Sequence, residues 1–362
     1  MLSEAARTLK TQSYPLISSD SHVMEPPELW GERLPAGLRG QAPKYPPQSE
    51  GNVFQAHPGG WDPAARVNEM AVDGVSGEVL YPTLALDQYG IADATLQEAC
   101  FRVYNDWLID YCSYAPDRLF GIGMIAAYDS GPAVAELERC KRAGLRGALL
   151  WQAPPDELAF ASGHYDRFWD AAQALEMPVS LHILTGKPYG PGVLAGGGRR
   201  TAVQGLRFAV NTKVYYAMNA LCDIICSGVL ERFPRLKVVF VENEISWLPF
   251  TLTQWDKYWK RGTMESPLTA PPSEYFQRQV YATFFNDQPS RWLFPGWGVD
   301  NCMWSNDFPH PNSTWPDSRD VIARDLGHLA EATRKRLVHD NVVGLYGLPS
   351  IVPLAAPAGA AG

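Results

Sequence analysis

Apolar residues fall along this chain in two alternating patterns. Short runs rich in β-branched residues, such as LKVVFV ahead of Glu242 and MPVSLHI ending at Ile183, alternate with longer stretches. In the longer stretches apolar positions return every three or four residues. The short runs predict eight strands, at residues 15–19, 77–82, 119–125, 146–151, 178–183, 236–241, 280–283 and 301–305. The longer stretches predict helices at 63–72, 94–114, 131–143, 164–175, 212–231, 246–259, 290–294 and 318–326, with a last helix at 330–338. A repeated strand–helix unit specifies a parallel sheet, because each crossover returns the chain to the same end. Strands without polar alternation need cover on both faces. Eight such units favour closure of the sheet into a (β/α)8 barrel.

Two segments break the rhythm. Residues 24–60 are rich in Pro and Gly and are expected to cover the barrel mouth as a lid-like insertion. Residues 185–205 contain KPYGPGVLAGGGRR. The order GxxxxGK[ST] of a phosphate-cradling loop is missing there, so a mobile substrate loop is the expected reading. A C-terminal helix and tail span about residues 328–362, and the Pro/Ala/Gly-rich stretch after Gly347 is expected to fray or to lie on a neighbouring chain. With no repeat and no clear linker, residues 1–362 are expected to form one domain.

Charge and cysteine content narrow the function classes. The 362 residues carry a formal charge of -8, and Arg199-Arg200 and Arg334-Lys335-Arg336 are isolated basic groups. Nucleic acid is therefore not an expected partner. No apolar run is long enough to span a bilayer, and the opening MLSEAARTLKTQSYP lacks the hydrophobic stretch of a secretory leader. The six cysteines are scattered, and Cys222 and Cys226 have the spacing of buried thiols on a helix face. A reducing cytoplasm is the expected compartment.

In a barrel the residues at the C-terminal ends of the strands line the active site. The first strand ends in SSDSHV, which supplies Asp20 and His22, alternate residues on one side of an extended chain. The fifth ends in VSLHI with His182, the sixth in VVFVENE with Glu242, and the eighth in MWSNDFPH with Asp307 and His310. A lone histidine or aspartate at a strand end is commonly structural. Here two His and several carboxylates from four strands converge on one rim. Carboxylates crowded together without a cation repel one another and resist desolvation. A divalent ion removes that cost, and His with Asp or Glu suits Zn²⁺, Fe²⁺ or Mn²⁺.

The segments SSDSHVMEPPELW, VSLHI, VENEISWLP, WSNDFPH and DNVVGLYG resemble, in order, the signature segments of the amidohydrolase-related family. They resemble in particular the branch containing aminocarboxymuconate-semialdehyde decarboxylase and the resorcylate-type decarboxylases. The resemblance implies a distorted (β/α)8 TIM barrel of the metal-dependent hydrolase type, with one or two ions at its mouth. Position by position it implies ligands at Asp20, His22, His182 and Asp307, Asp-x-His replacing the more usual His-x-His or Glu-x-His. Those decarboxylases carry a histidine at the end of the sixth strand, where this chain has Glu242-Asn243-Glu244. Glu242 could therefore hold or bridge a second ion, or act as a base. The fourth strand ends in Leu150-Trp151, without the modified lysine of other dinuclear relatives.

The extra carboxylate and the missing histidine lead to an expected hydrolase. Water activated by the metal would cleave an amide, ester, lactone or thioester of a fairly apolar organic acid. The alternative is a non-oxidative decarboxylase of an aromatic or unsaturated acid. Asp307 would hold or shuttle the proton, with Glu242 or His310 passing it on, or with His310 orienting Asp307. Trp151, Trp304, Arg199 and His57 are candidate substrate contacts. A small molecule is the expected partner, with no membrane and a homodimer or higher homo-oligomer.

Overall fold

The computed structural model describes residues 14–46, 56–186 and 201–354. Its centre is an eight-stranded sheet in the order β1-β2-β3-β4-β5-β6-β7-β8. The strands are β1 Leu16–His22, β2 Val75–Tyr81, β3 Leu119–Met124, β4 Gly147–Ala153, β5 Val179–Gly186, β6 Val238–Val241, β7 Val280–Phe284 and β8 Cys302–Trp304. Every neighbouring pair from β1 to β8 is parallel. The expected barrel is present, nearly closed. Along its seam Asp307 donates its N–H to Asp20 O at 3.1 Å and His22 donates to Phe308 O at 2.7 Å. Ser19 Oγ bridges the same seam to Trp304 O at 2.9 Å.

Local chemistry sets the crossovers. The helix Pro63–Asp73 starts where Asp62 accepts the Ala64 N–H, has proline at its first position, and stops at Gly74 with φ 74°. Asp93 and Asp129 cap the helices Ala94–Cys112 and Ser130–Arg142 in the same way. β1 runs three residues beyond its predicted end, which places Asp20 and His22 inside the strand. Among the described residues no helix is long and apolar enough to cross a membrane.

Three expectations need correction. Only a short 3-10 turn, Gln288–Trp292, occurs where a helix at 290–294 is predicted. A helix that the pattern misses, Pro272–Gln279, precedes β7. At eight residues, mostly polar and opened by proline, it shows little apolar period, and packing against its neighbours decides it. Thirdly, the chain after Gly347 lies on its own barrel through residue 354. Leu348 and Ile351 are buried, Leu354 donates its N–H to Ser76 Oγ at 3.2 Å, and Arg118 holds Val352 O at 3.0 Å. Ile351 covers the bare face of Gly77 in β2, where a Cβ would lie 3.0 Å from its Cδ1.

The described parts of the first insertion are tied down. Trp30, on the helix Leu29–Arg33, is buried and donates Nε1–H to Cys100 O at 3.1 Å, and Met24 N–H reaches Gly60 O at 2.7 Å. At the other end of the chain, Asn341 donates to Val299 O at 2.7 Å and Cys302 O at 2.8 Å, fastening the helix Asn341–Tyr346 to β8.

Candidate metal centre

The C-terminal ends of β1, β5, β6 and β8 bring six of the sequence-predicted residues into one cluster. Potential ligand atoms of Asp20, His22, His182 and Glu242 lie within 4.8 Å of one another, as do those of His22, Glu242, Asp307 and His310. The sets share His22 and Glu242, so they form one continuous group. His22 Nε2 is 3.4 Å from Asp20 Oδ1 and 3.5 Å from Asp307 Oδ1. His182 Nε2 is 3.8 Å from Asp20 Oδ1 and 3.6 Å from Glu242 Oε2. His310 Nδ1 approaches Asp307 Oδ1 at 2.8 Å, and its ring stacks on His22 with centroids 4.0 Å apart.

The tautomers of the two deepest histidines follow from their other nitrogens. His22 Nδ1–H donates to Pro82 O at 2.8 Å, and His182 Nδ1–H donates to Ile183 O at 2.8 Å. Each Nε2 therefore presents a lone pair inward. Neither Nε2 has a hydrogen-bond partner in the protein, and neither do the two oxygens of Asp20, although all are buried. Buried polar atoms are rarely left this way. A divalent cation among them answers the deficit, and the N/O donor set fits Mn²⁺, Zn²⁺ or Fe²⁺.

Backbone strain concentrates here. Glu242 (φ 60°), Glu244 (φ 56°) and Asp307 (φ 55°) are non-glycine residues in the left-handed region, directly after β6 and β8. Such conformations persist where surrounding contacts hold them. Thr283 Oγ1 accepts the Glu242 N–H at 2.9 Å, and the Glu244 carboxylate accepts the Phe285 N–H at 3.3 Å.

Electrostatics separates the acids. Burial works to raise Asp20, but the imidazoles of His182 and His22, 3.8 and 3.4 Å away, outweigh it and hold the carboxyl low. Burial, reinforced by the charge of Glu242, lifts Asp307 well above the usual carboxylate range. Burial brings His310 down to about 4, so its ring is neutral.

Groups not marked in the sequence support the centre. The Arg66 guanidinium donates Nε–H to Glu78 at 2.5 Å and Nη1–H to His22 O at 2.7 Å, and reaches Phe308 O at 3.3 Å. It thus clamps the ends of β1 and β8 together. Arg66, Met70 and Asp73 are the buried residues of their helix, spaced three and four apart. Charged residues at core-facing positions were the available signal. Asn306 extends the clamp: its Oδ1 accepts from Ser21 Oγ at 2.7 Å and its Nδ2 reaches Asp73 at 3.3 Å. Thr83 Oγ1 lies 3.0 Å from His310 Nε2. Lys213, opening the helix Lys213–Cys226, sets its Nζ 3.5 Å from Glu242 Oε1.

The candidate substrate contacts are not drawn into the cluster. Trp151 is fully buried and donates Nε1–H to Tyr165 at 2.8 Å. Trp304 is buried in β8. His57 packs between Phe308 and Trp315, with Nδ1 3.3 Å from Glu69 Oε1. Arg199 and most of the Gly-rich loop lie outside the described residues.

Comparison with known proteins agrees with this architecture. The amidohydrolase family profile matches residues 19–348, and the chain belongs to that family. Gamma-resorcylate decarboxylase from Polaromonas sp. (strain JS666) is 26% identical over 308 residues, covering 78% of this chain and 86% of that protein. An amidohydrolase from Mycobacterium avium subsp. paratuberculosis K-10 superposes with a TM-score of 0.75 at 18% identity, over 93% of this chain and all of the other. A dihydroxybenzoic acid decarboxylase from Polaromonas, solved with manganese and the inhibitor 2-nitroresorcinol, superposes with a TM-score of 0.67 at 21% identity, covering 92% and 97% of the two chains. The curated relative and the manganese-bound neighbour are decarboxylases, which corrects the hydrolase expectation. That expectation rested on an extra carboxylate and a missing histidine at the end of β6. The structure places Glu242 between His182 and Lys213 within the same donor group.

Proposed function

We propose that this protein is a metal-dependent carboxy-lyase, releasing CO₂ without oxidation from an aromatic or unsaturated carboxylic acid. One observation carries the reading: the buried, partnerless donor atoms of Asp20, His22 and His182 sit beside Asp307 and His310 in a chain related to a decarboxylase.

In this reading Asp20, His22, His182 and Glu242 hold one divalent ion. That ion supplies positive charge that orients the acid and draws electron density from it. Asp307 is the proton donor: burial and the Glu242 charge push its carboxyl up, and it stands 3.5 Å from His22 Nε2 at the edge of the donor group. When the bond to the carboxylate breaks, its electron pair stays on the substrate carbon. The Asp307 proton goes to that carbon and CO₂ departs. His310, neutral and 2.8 Å from Asp307 Oδ1, orients the carboxyl and relays its replacement proton. Burial of the cluster keeps competing water out.

The test is product analysis on Mn²⁺-loaded protein, with a panel of hydroxybenzoates and unsaturated acids beside matched amides, esters and thioesters. CO₂ release from an acid is the expected result. Cleavage of the amides, esters or thioesters with no CO₂ from any acid would sink the reading.

A further inference from the structure

Carboxylates dominate the mouth of this barrel. Asp20, Glu242 and Asp307 stand in one cluster, and Glu244 is two residues from Glu242. A divalent ion would offset the charges of Asp20 and Glu242, and a positive side chain beside them would give an acid that enters as an anion a second point of attachment. Among the described residues, Lys213–Glu242 is the one ion pair that brings a lysine or arginine to the donor cluster. Arg66, the buried cation nearby, has its guanidinium engaged by Glu78 and three backbone carbonyls.

The placement of Lys213 suits an anion receptor. Glu242 is shared: its Oε2 faces His182 Nε2 at 3.6 Å while its Oε1 faces Lys213 Nζ at 3.5 Å. Lys213 therefore lies across Glu242 from the histidine donors, a short distance from the expected ion. An ammonium offers three donors, and a 3.5 Å contact is too long for a well-formed hydrogen bond. Its side chain is 20% exposed against 13% for Glu242.

We infer that Lys213 receives the carboxylate of the substrate, an inference that rests on the carboxy-lyase reading above. Held by that end, the acid presents the carbon bearing its carboxylate to Asp307. The contact belongs to the bound acid and weakens as charge leaves the carboxylate for the substrate carbon and neutral CO₂ forms. Its loss therefore falls on binding and KM rather than on kcat.

Binding of benzoate and its neutral counterpart benzamide to the Mn²⁺-loaded protein, measured by calorimetry, tests this without turnover. The wild-type protein is expected to favour benzoate. Lys213→Met should weaken benzoate by about tenfold or more, the worth of a charge-assisted contact, and leave benzamide within about twofold. Lys213→Arg should restore most of the benzoate affinity. Manganese content should be unchanged in both variants, since removing a cation does not weaken a metal site.

Equal losses for both probes, no loss for benzoate, or no wild-type preference for the anion would overturn the inference. So would loss of manganese from Lys213→Met, which would make Lys213 a support for Glu242. A protein that bound the probes as expected yet released no CO₂ from any acid would refute the carboxy-lyase reading and leave the assignment of Lys213 intact.

Discussion

His22 and His182 each tie Nδ1–H to a backbone carbonyl, so each ring has one nitrogen left to give and one direction in which to give it. Removing such a ring removes a ligand, whereas loss of a partner behind a ligand costs about 10–100-fold. His182→Ala is therefore expected to lower kcat/KM by more than about a hundredfold and to lose its metal, with an unchanged circular dichroism spectrum. Asp307→Asn keeps size and packing but cannot give up a proton as the carboxyl does. It should retain the ion and lose CO₂ release to a similar degree, as steady-state kinetics with elemental analysis would show. Retention of wild-type kcat by either variant would mean that the chemistry lies elsewhere. At this scale the sequence was informative where a polar residue interrupts a strand end, as at His182 or Asp307. It was silent on Lys213, because a lysine opening a helix is an ordinary surface residue until the fold shows what it faces.

The strands are held in register at the site by a buried polar element that no strand pattern announces. Arg66, from the helix Pro63–Asp73, grips Glu78 of β2 and the carbonyls of His22 and Phe308. Arg66→Met would leave Glu78 buried without its cation. The expected cost is about 3–5 kcal/mol, measured by urea denaturation. Asp73, in the same helix, adds a pH dependence. Burial, opposed by contacts from Ser318 and Asn306, raises its carboxyl from 3.8 to about 6. The native chain thus binds a proton that the unfolded chain releases at lower pH. The contribution of Asp73 is full below its unfolded pKa of 3.8 and is lost as pH rises to about 6. Glu25, raised to about 7 by burial, tilts the curve in the same sense. Asp73→Asn should flatten the decline in stability between pH 4 and pH 6, read from melting curves across that range. An unaltered slope would show that Asp73 carries none of it. Helices with caps, such as Asp62 before Pro63, were legible, whereas Pro272–Gln279 was not, since its eight residues depend on packing rather than on period.

Across the whole molecule, the metal centre sits on the seam that closes the barrel. Asp20 and His22 of β1 are hydrogen-bonded through their backbones to Asp307 and Phe308 after β8. A cation held by Asp20 and His22 would lie against this seam, so its removal should be felt by the fold. Chelation is expected to lower Tm by a few degrees and Mn²⁺ to restore it. An ion at a hundred times its Kd stabilises the native state by about 2.7 kcal/mol. Elemental analysis should find one ion per chain, since the two donor sets overlap at His22 and Glu242. A Tm indifferent to chelation and refilling would separate the seam from the metal.

Hydrophobic periodicity alone determined the eight strands, most of the helices between them and hence the barrel, because burying apolar faces leaves few other solutions. It also marked the polar strand ends, because a barrel gathers those ends on one rim. Only the tertiary structure decided which nitrogen of each histidine points inward, that Glu242 stands between His182 and Lys213, and that Arg66 and Asp73 lie beneath the site. Those facts depend on contacts between residues far apart in the chain, and local pattern holds no record of distance through space.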